Sequence, residues 1–510
     1  MPAFFSKLPF IGKFFGKKKG LANHKPVKMS KEVLEMDFFS QLSYMASIST
    51  SGISRSGLFQ YASKLPYISS RYFKKVDFVA KAFNHDYAEA CRIVGEATQE
   101  LEVKAFLLRL SGALSSGEEI DKFLERESKV FGDTYGNAYE GKLEVLRKWT
   151  DAYIALIMTS AVVTVMAVVT TIIGSITMPM IVGLSSVTIM VTIGGVYLIY
   201  SQAPRETRIH SLPIRSKEQD TSRVLSRILL PAGGIVVIGL LVMKANLGWA
   251  MIAAGVFMLP LGFTAYMNDI KVAKRDTDIA GFLRSLGGVS QAIRATVSEG
   301  LGRLDFRSMG SLRTNVELLY TRILAGINPH LCWGQFVGES SSEQVNRSVR
   351  IFWDGVTLGG EPERVGNEAS AFAMKVSYLR SQRRLISSGL TWLAIAMHAV
   401  LTLVVVFIDQ TLKTFSTLVK GATAGTDLAS VPGLTNIGMF ASNSTEMGML
   451  HFMIIVIVLV LTVSNALAIH ATDGGHIHKL AFYLGIMLLI SGAALVFVPP
   501  VVNMLLTGMV

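Results

Sequence analysis

Charge is what this sequence has least of. Only 17% of its 510 residues are Asp, Glu, Lys or Arg, against about a quarter in an ordinary soluble protein. Half are apolar, and the mean hydropathy is +0.44. Disorder is excluded, because it needs low hydrophobicity and high charge. So is a water-soluble multidomain enzyme. Cysteine is scarcer still: Cys91 and Cys332 make neither a disulfide framework nor a metal knuckle. Catalytic signatures are missing as well. There is no GxxxxGK phosphate loop with its following Ser or Thr, no HExxH, no CxxC, no GxSxG and no Asp-rich calcium loop. No enzyme activity and no cofactor are expected.

What the chain does have is long apolar runs. A bilayer core takes about 20 apolar residues as a helix, and seven stretches meet or approach that length: 151–173, a run ending at Tyr200, 228–243, 248–266, 388–408, 450–469 and 480–505. Trp149, Tyr197, Tyr200, Trp249, Tyr266 and Trp392 lie near their ends, as interfacial aromatics do. His398 is the one ionisable residue deep inside a run. A coupled transporter generally needs carboxylates or broken helices near the midplane. Pro231, Pro260, Pro499 and Pro500 kink or end helices here with no accompanying charge.

The two long polar regions read as helical. Residues 118–135, 79–94 and 103–114 place apolar side chains at three-four spacing, and no alternating strand pattern occurs outside the apolar runs. The fold class is therefore an all-α polytopic membrane protein with about seven transmembrane helices and two cytoplasmic helical-bundle domains. The expected layout begins with a basic amphipathic segment, 1–30, then a first helical domain, 31–148. Four spans in two hairpins follow over 149–266, with a basic loop at 201–227. A second helical domain occupies 267–387, and three spans with an outer loop at 409–449 occupy 388–510.

Orientation follows from the basic residues. With the amino terminus in the cytoplasm, only Lys244, Lys413 and Lys420 fall outside, and Arg205, Arg208, Arg215, Lys217, Arg223 and Arg227 crowd a short inner loop. The carboxyl terminus then lies outside. The outer loop carries Asn443-Ser444-Thr445, an N-glycosylation sequon on the translocated side. The segment Met1–Gly20, with its interspersed phenylalanines and lysines, is either a membrane-surface helix or a tail packed on the bundle.

The two polar regions resemble each other. Asp37-Phe38-Phe39 leads to a turn at Ser51-Gly52, and Asp278-Ile279-Ala280 leads to Glu299-Gly300. Gly117-Glu118 and Gly360-Glu361 each precede an amphipathic helix, and a basic helix then enters a span. Spacing between these marks differs by several residues, so the duplication is degenerate. Gly117, Gly359 and Gly360 are expected to be turn glycines. Between the sixth and seventh runs, His470, Asp473, His476 and His478 form either a metal-binding set or a glycine-turned basic loop.

Specific stretches carry a family resemblance. Phe282–Gly288, Val349–Asp354, Gly359-Gly360, Leu379–Arg384, Ser464–Leu467, Gly474-Gly475, Lys479 and Pro499-Pro500 resemble the archaellum (archaeal flagellum) membrane platform family. That family lies within the larger group of type II secretion F and type IV pilus platform proteins. The resemblance covers about residues 35–505. It implies a non-enzymatic membrane anchor for filament assembly. Its partners would be a hexameric secretion-type ATPase, the ATP-binding accessory protein of that ATPase, pilin-like filament subunits and membrane lipid, with no nucleic acid. In an archaellum the filament also rotates. The related alternatives are a non-rotating pilus or secretion platform and, from a different class, a multi-span transporter. For contact with the ATPase the expected residues are Arg284, Arg294, Arg303, Arg380, Arg383 and Arg384; lipid head groups are the competing partner for 380–384. Gly194-Gly195 and Gly233-Gly234 would permit close helix contact, either in a homodimer or within one chain.

Overall fold

The computed structural model describes residues 31–172, 178–210, 212–422 and 444–507. The basic segment 1–30 and the sequon at Asn443 lie outside these residues. Among the described residues sixteen α-helices succeed one another: α1 (Lys31–Ser49), α2 (Arg55–Ser63), α3 (Ser70–Ala82), α4 (Tyr87–Glu96), α5 (Leu101–Ser116), α6 (Ile120–Ile172), α7 (Met178–Gln202), α8 (Lys217–Val242), α9 (Leu247–Ala292), α10 (Val297–Arg303), α11 (Arg313–Leu324), α12 (Pro329–Ser340), α13 (Glu343–Thr357), α14 (Pro362–Ala422), α15 (Ser444–Asp473) and α16 (Leu480–Thr507). Among the described residues no strand occurs; one isolated antiparallel bridge joins Ile209 to Ser342.

Among the described residues six helices are long and apolar enough to cross a membrane: α7, α8, α9, α14, α15 and α16. The run expected at 151–173 forms the end of α6, where side chains are described only in part. In α8 only 6% of the apolar window is buried inside the protein. Ile228, Ile235, Ile238 and Val242 are exposed along it. A helix that apolar and that bare needs a bilayer or another chain against it. Pro231 and Pro260 sit inside α8 and α9, and Pro499-Pro500 inside α16, without ending them.

The membrane helices are brought together by glycine. Gly248, Gly255 and Gly262 recur every seven residues on α9, and each presses on the backbone or side chains of α16, where Gly485 and Gly492 press back. A seven-residue repeat keeps one stripe facing a partner helix, and missing side chains let backbones approach. At Gly262 an added Cβ would collide with the backbone of Phe482. The glycine pairs singled out in the sequence are used within the chain in part: Gly195 faces Tyr153 and Gly233 faces Phe257, while Gly194 and Gly234 face open space.

Three helices are unusually long, and among the described residues no left-handed residue interrupts them. α6 (53 residues), α9 (46 residues) and α14 (61 residues) span about 80, 70 and 90 Å. Each runs unbroken from a helical domain into an apolar segment. The expected helix over 79–94, by contrast, is divided. Asn84 adopts a left-handed φ of 51°, and Asp86 accepts the Ala88 N–H as the N-cap of α4.

The duplication is more regular than the sequence marks imply. Left-handed residues end corresponding helices at Gly52 and Arg294, Asn84 and Gly326, and Gly117 and Gly359, each pair 242 positions apart. The caps follow suit, Ser54 with Thr296 and Asp86 with Asn328. So do the starts of α6 and α14. The turn matching Gly52 is thus at Arg294; Glu299-Gly300 lies inside α10. Asp37 and Asp278 also do the same work. Asp37 accepts the Ile68 N–H at 2.8 Å, and Asp278 accepts the Ser311 N–H at 2.6 Å.

The two copies share one apolar core. Helix α1 packs on α6 of its own copy and on α13 and α14 of the other. Phe39 meets Phe372 with ring centroids 5.0 Å apart, and Ser47 donates to the Ile351 carbonyl at 2.7 Å. Arg347 reaches across to Asp37 at 2.7 Å, both side chains buried, while also holding Glu343.

Candidate coupling site at the junction of domains and membrane

The charges of the chain converge where the helical domains meet the apolar segments. Asp269 and Asp276 stand seven residues apart on α9, two helical turns, so both face the antiparallel α14. Arg380 of α14 donates to Asp276 at 2.7 Å, and Arg384 approaches Asp269 at 4.0 Å. The stretch joining α7 to α8 adds Glu206 and Arg208. Glu206 accepts from Arg380 at 3.1 Å, from Arg383 at 3.3 Å and from the Tyr139 hydroxyl of α6. Arg208 pairs with Asp269 at 3.5 Å.

The turn between α15 and α16 closes the network. Helix ends leave their last carbonyls without partners, and here arginines supply them. Arg383 donates to the carbonyls of Thr472 (2.9 Å) and Ala471 (3.1 Å), and Arg208 donates to that of Asp473 at 2.6 Å. Gly474 takes φ 73° against the Arg383 guanidinium, where a Cβ would crowd it. Lys479, buried at 3% exposure, donates to Asp269 at 2.6 Å and also pairs with Asp473. Burial pushes the Glu206 carboxyl up, but Arg380, Arg383 and Arg208 more than offset this and hold it down at about 2. Its charge is therefore kept at any physiological pH.

Such a network adds little net stability, since desolvation offsets most of the attraction. Its contribution is register. Removing one member strands the others, so α6, α9, α14 and the α15–α16 turn are held in one arrangement. A second polar chain lies inside the membrane. Tyr153 donates to Asn465 at 2.8 Å, Asn465 meets His398 at 3.2 Å, and His398 meets Ser491 at 2.8 Å. All four are buried.

The six expected arginines divide. Arg380 and Arg383 belong to the junction, Arg383 at 2% exposure and Arg380 partly buried, and their guanidiniums are engaged by Glu206, Asp276 and helix-end carbonyls. Arg384 keeps its side chain 44% exposed beside them. Arg284, Arg294 and Arg303 are exposed on the second domain, apart from the junction. Gly117 and Gly359 are turn residues with φ 75° and 95°; Gly360 instead lacks room for a Cβ beside Thr50 and Val365. Among the described residues no group of three or more His, Cys, Asp or Glu is placed to hold a metal ion. Asp473 pairs with Lys479, His476 accepts the His478 N–H, and His478 meets Ser222 at 3.0 Å.

Nothing in the sequence marked Glu206, Asp269 or Asp276 as members of a site. The available signal was two carboxylates, Glu206 and Asp269, close to the ends of apolar runs, where a charge needs a partner.

Two curated proteins are similar to this chain. Flagella accessory protein J of Methanocaldococcus jannaschii is 25% identical over 330 residues, which cover 61% of this chain and 57% of that protein. Flagella accessory protein J of Methanococcus voltae is 22% identical over 468 residues, covering 85% of this chain and 78% of that protein. The chain thus spans little more than half the length of the first of these relatives. No family model matches the chain, and no solved structure matches it. The likeness to archaellum platform proteins noted in the sequence is met by both relatives.

Proposed function

We propose that this chain, similar to two archaeal flagella accessory proteins, is the membrane platform on which an archaellum-type filament is assembled. The observation that carries the reading is continuity: α6 and α14 each pass unbroken from a helical domain into an apolar segment. A rigid helix transmits displacement or rotation along its axis. The amino terminus and both helical domains then lie in the cytoplasm, with the carboxyl terminus outside, as the basic inner loops require. A hexameric secretion-type ATPase and its accessory protein supply the nucleotide chemistry, and pilin-like subunits are lifted from the bilayer. Arg284, Arg294 and Arg303, exposed on the second domain, are the cations offered to the ATPase. Complementary charge there governs encounter and register.

The test uses the full chain in lipid nanodiscs with the ATPase that copurifies with it. Binding and altered ATP turnover are expected, with both reduced several-fold when the three exposed arginines are changed to Glu. Absence of binding, together with normal filaments in a strain lacking the gene, would overturn the reading. Whether the filament rotates is read on tethered cells; filaments that never turn point to the pilus or secretion branch.

A further inference from the structure

A cavity of about 250 Å³ opens on the domain side of the membrane helices. It is lined by Arg215, Arg223, Asn268, His476 and His478 together with Ser222 and neighbouring groups, and no carboxylate lines it. Arg215 and Arg223 form no ion pair among the described residues, unlike the arginines of the junction. Asn268 is 4% exposed and its Oδ1 has no hydrogen-bond partner. An unmet acceptor so deeply buried costs free energy unless something donates to it. Two unpaired guanidiniums beside an unmet acceptor call for a ligand that joins an anion to a hydroxyl or ammonium.

The height of the cavity narrows the source. Asn268 lies two residues past the apolar run 248–266, His478 two before the run 480–505, and Arg223 five before the run 228–243. At 1.5 Å per residue these are about 3 to 8 Å from the hydrocarbon edge, within the headgroup layer of a bilayer. The cavity is smaller than ordinary small-molecule sites of about 300–1,000 Å³, so it admits a headgroup and leaves acyl chains outside. Basic pockets between membrane helices on the cytoplasmic side are where phospholipid head groups bind.

We propose that this cavity is a specific phospholipid headgroup site, with Arg215 and Arg223 holding the phosphodiester and Asn268 Oδ1 accepting from the headgroup hydroxyl or ammonium. Ser222 engages His478 Nδ1 at 3.0 Å; in the tautomer where the hydroxyl donates to Nδ1, the ring carries Nε2–H as a further donor. The site ties the starts of α8 and α16 to α9 and is independent of which filament the protein serves.

The full chain in detergent is titrated with dioctanoyl phosphatidylglycerol and followed by native mass spectrometry. Dioctanoylglycerol, which lacks the phosphate, and inorganic phosphate are run in parallel. Saturable binding of the phospholipid alone is expected, weakened roughly tenfold by the R215Q/R223Q pair and several-fold by N268L, and unchanged by R307Q at an exposed arginine of the helical domain. Arg223 is exposed, so R223Q alone serves as the variant if the pair fails to fold; thermal unfolding without lipid checks this. Equal binding of dioctanoylglycerol, wild-type affinity in the arginine variants, or full competition by inorganic phosphate at equal concentration would each overturn the assignment.

Discussion

The two helical copies share their punctuation and differ in their charges. Offset by 242, Arg380 and Arg383 of the second copy correspond to Ala138 and Gly141 of the first, and Arg384 to Lys142. In the second copy Arg380 and Arg383 join a network that reaches α9 and the end of α15, with Arg384 half-exposed beside it. In the first, Lys142 makes a looser pair with Glu35 at 3.5 Å and is one-third exposed. The same contrast holds further along: Glu368 is half-buried between the copies, bonded by Ser128, while its counterpart Arg126 pairs with Glu118 at the surface. A duplicated backbone has thus been given two chemistries. Both copies pack by aromatic side chains, Phe38 on Phe106 in the first and Phe282 on Phe336 in the second, and it is the second that carries the arginines of the ionic attachment.

Breaking the junction should show the largest difference. Asp269→Leu leaves Lys479 with Asp473 alone and takes from Arg208 its carboxylate partner, keeping only the Asp473 carbonyl, and is expected to cost about 3 kcal/mol, seen as a large fall in the unfolding temperature of the full chain in detergent. Lys142→Leu should cost about 1 kcal/mol or less. Equal losses would erase the contrast. Next comes the tie between copies. Arg347→Met leaves Asp37 buried with one donor fewer and should cost about 3 kcal/mol. A double-mutant cycle with Asp37→Asn should recover a coupling energy above 1 kcal/mol, and additivity would show the copies to be independent.

Glu368 sharpens the comparison by pH. Burial pushes its carboxyl up to about 7, only partly opposed by the Ser128 hydroxyl bonded to it at 2.5 Å. The folded state therefore prefers the protonated form. Stability from this group is full below the ordinary carboxyl range and is lost as pH rises through about 7. Unfolding temperatures between pH 5 and 8 should fall in the wild type and flatten in Glu368→Gln, which should be more stable by about 2 kcal/mol at pH 8. The smallest effects should come from the shared turns. Gly117→Ala and Gly359→Ala each force a Cβ into left-handed backbone at about 1 kcal/mol, and near-equal shifts would mark the turns as equivalent.

The apolar runs, the helical class and the existence of a duplication were legible because each is written locally, in length, period and glycine. The register of the duplication was not. It is carried by backbone angle rather than residue type: Arg294 does in one copy what Gly52 does in the other, and Asn84 what Gly326 does. Matching glycine to glycine therefore mispaired Gly52 with Gly300. The junction was illegible for another reason. Its members lie as far apart as Tyr139, Glu206, Arg380 and Lys479, and a basic cluster below a span reads the same whether solvated, bound to lipid or buried. The carboxylates that decide among these are each alone in their own stretch of sequence.

The glycine stripe between α9 and α16 has a mechanical consequence. Over residues 248–262 the two backbones touch, so this part of α9 cannot slide or bow away from its neighbour. The remaining thirty residues project about 45 Å beyond the stripe, against about 20 Å within it. Helix α9 is then a lever with a fixed short arm. A push of a few ångströms on the domain end would arrive in the bilayer as a tilt of the α9–α16 pair, reduced by about half. Spin labels placed at either end of α9 in the full chain would measure that ratio, and independent motion of the two ends would mean that the helix bends between them.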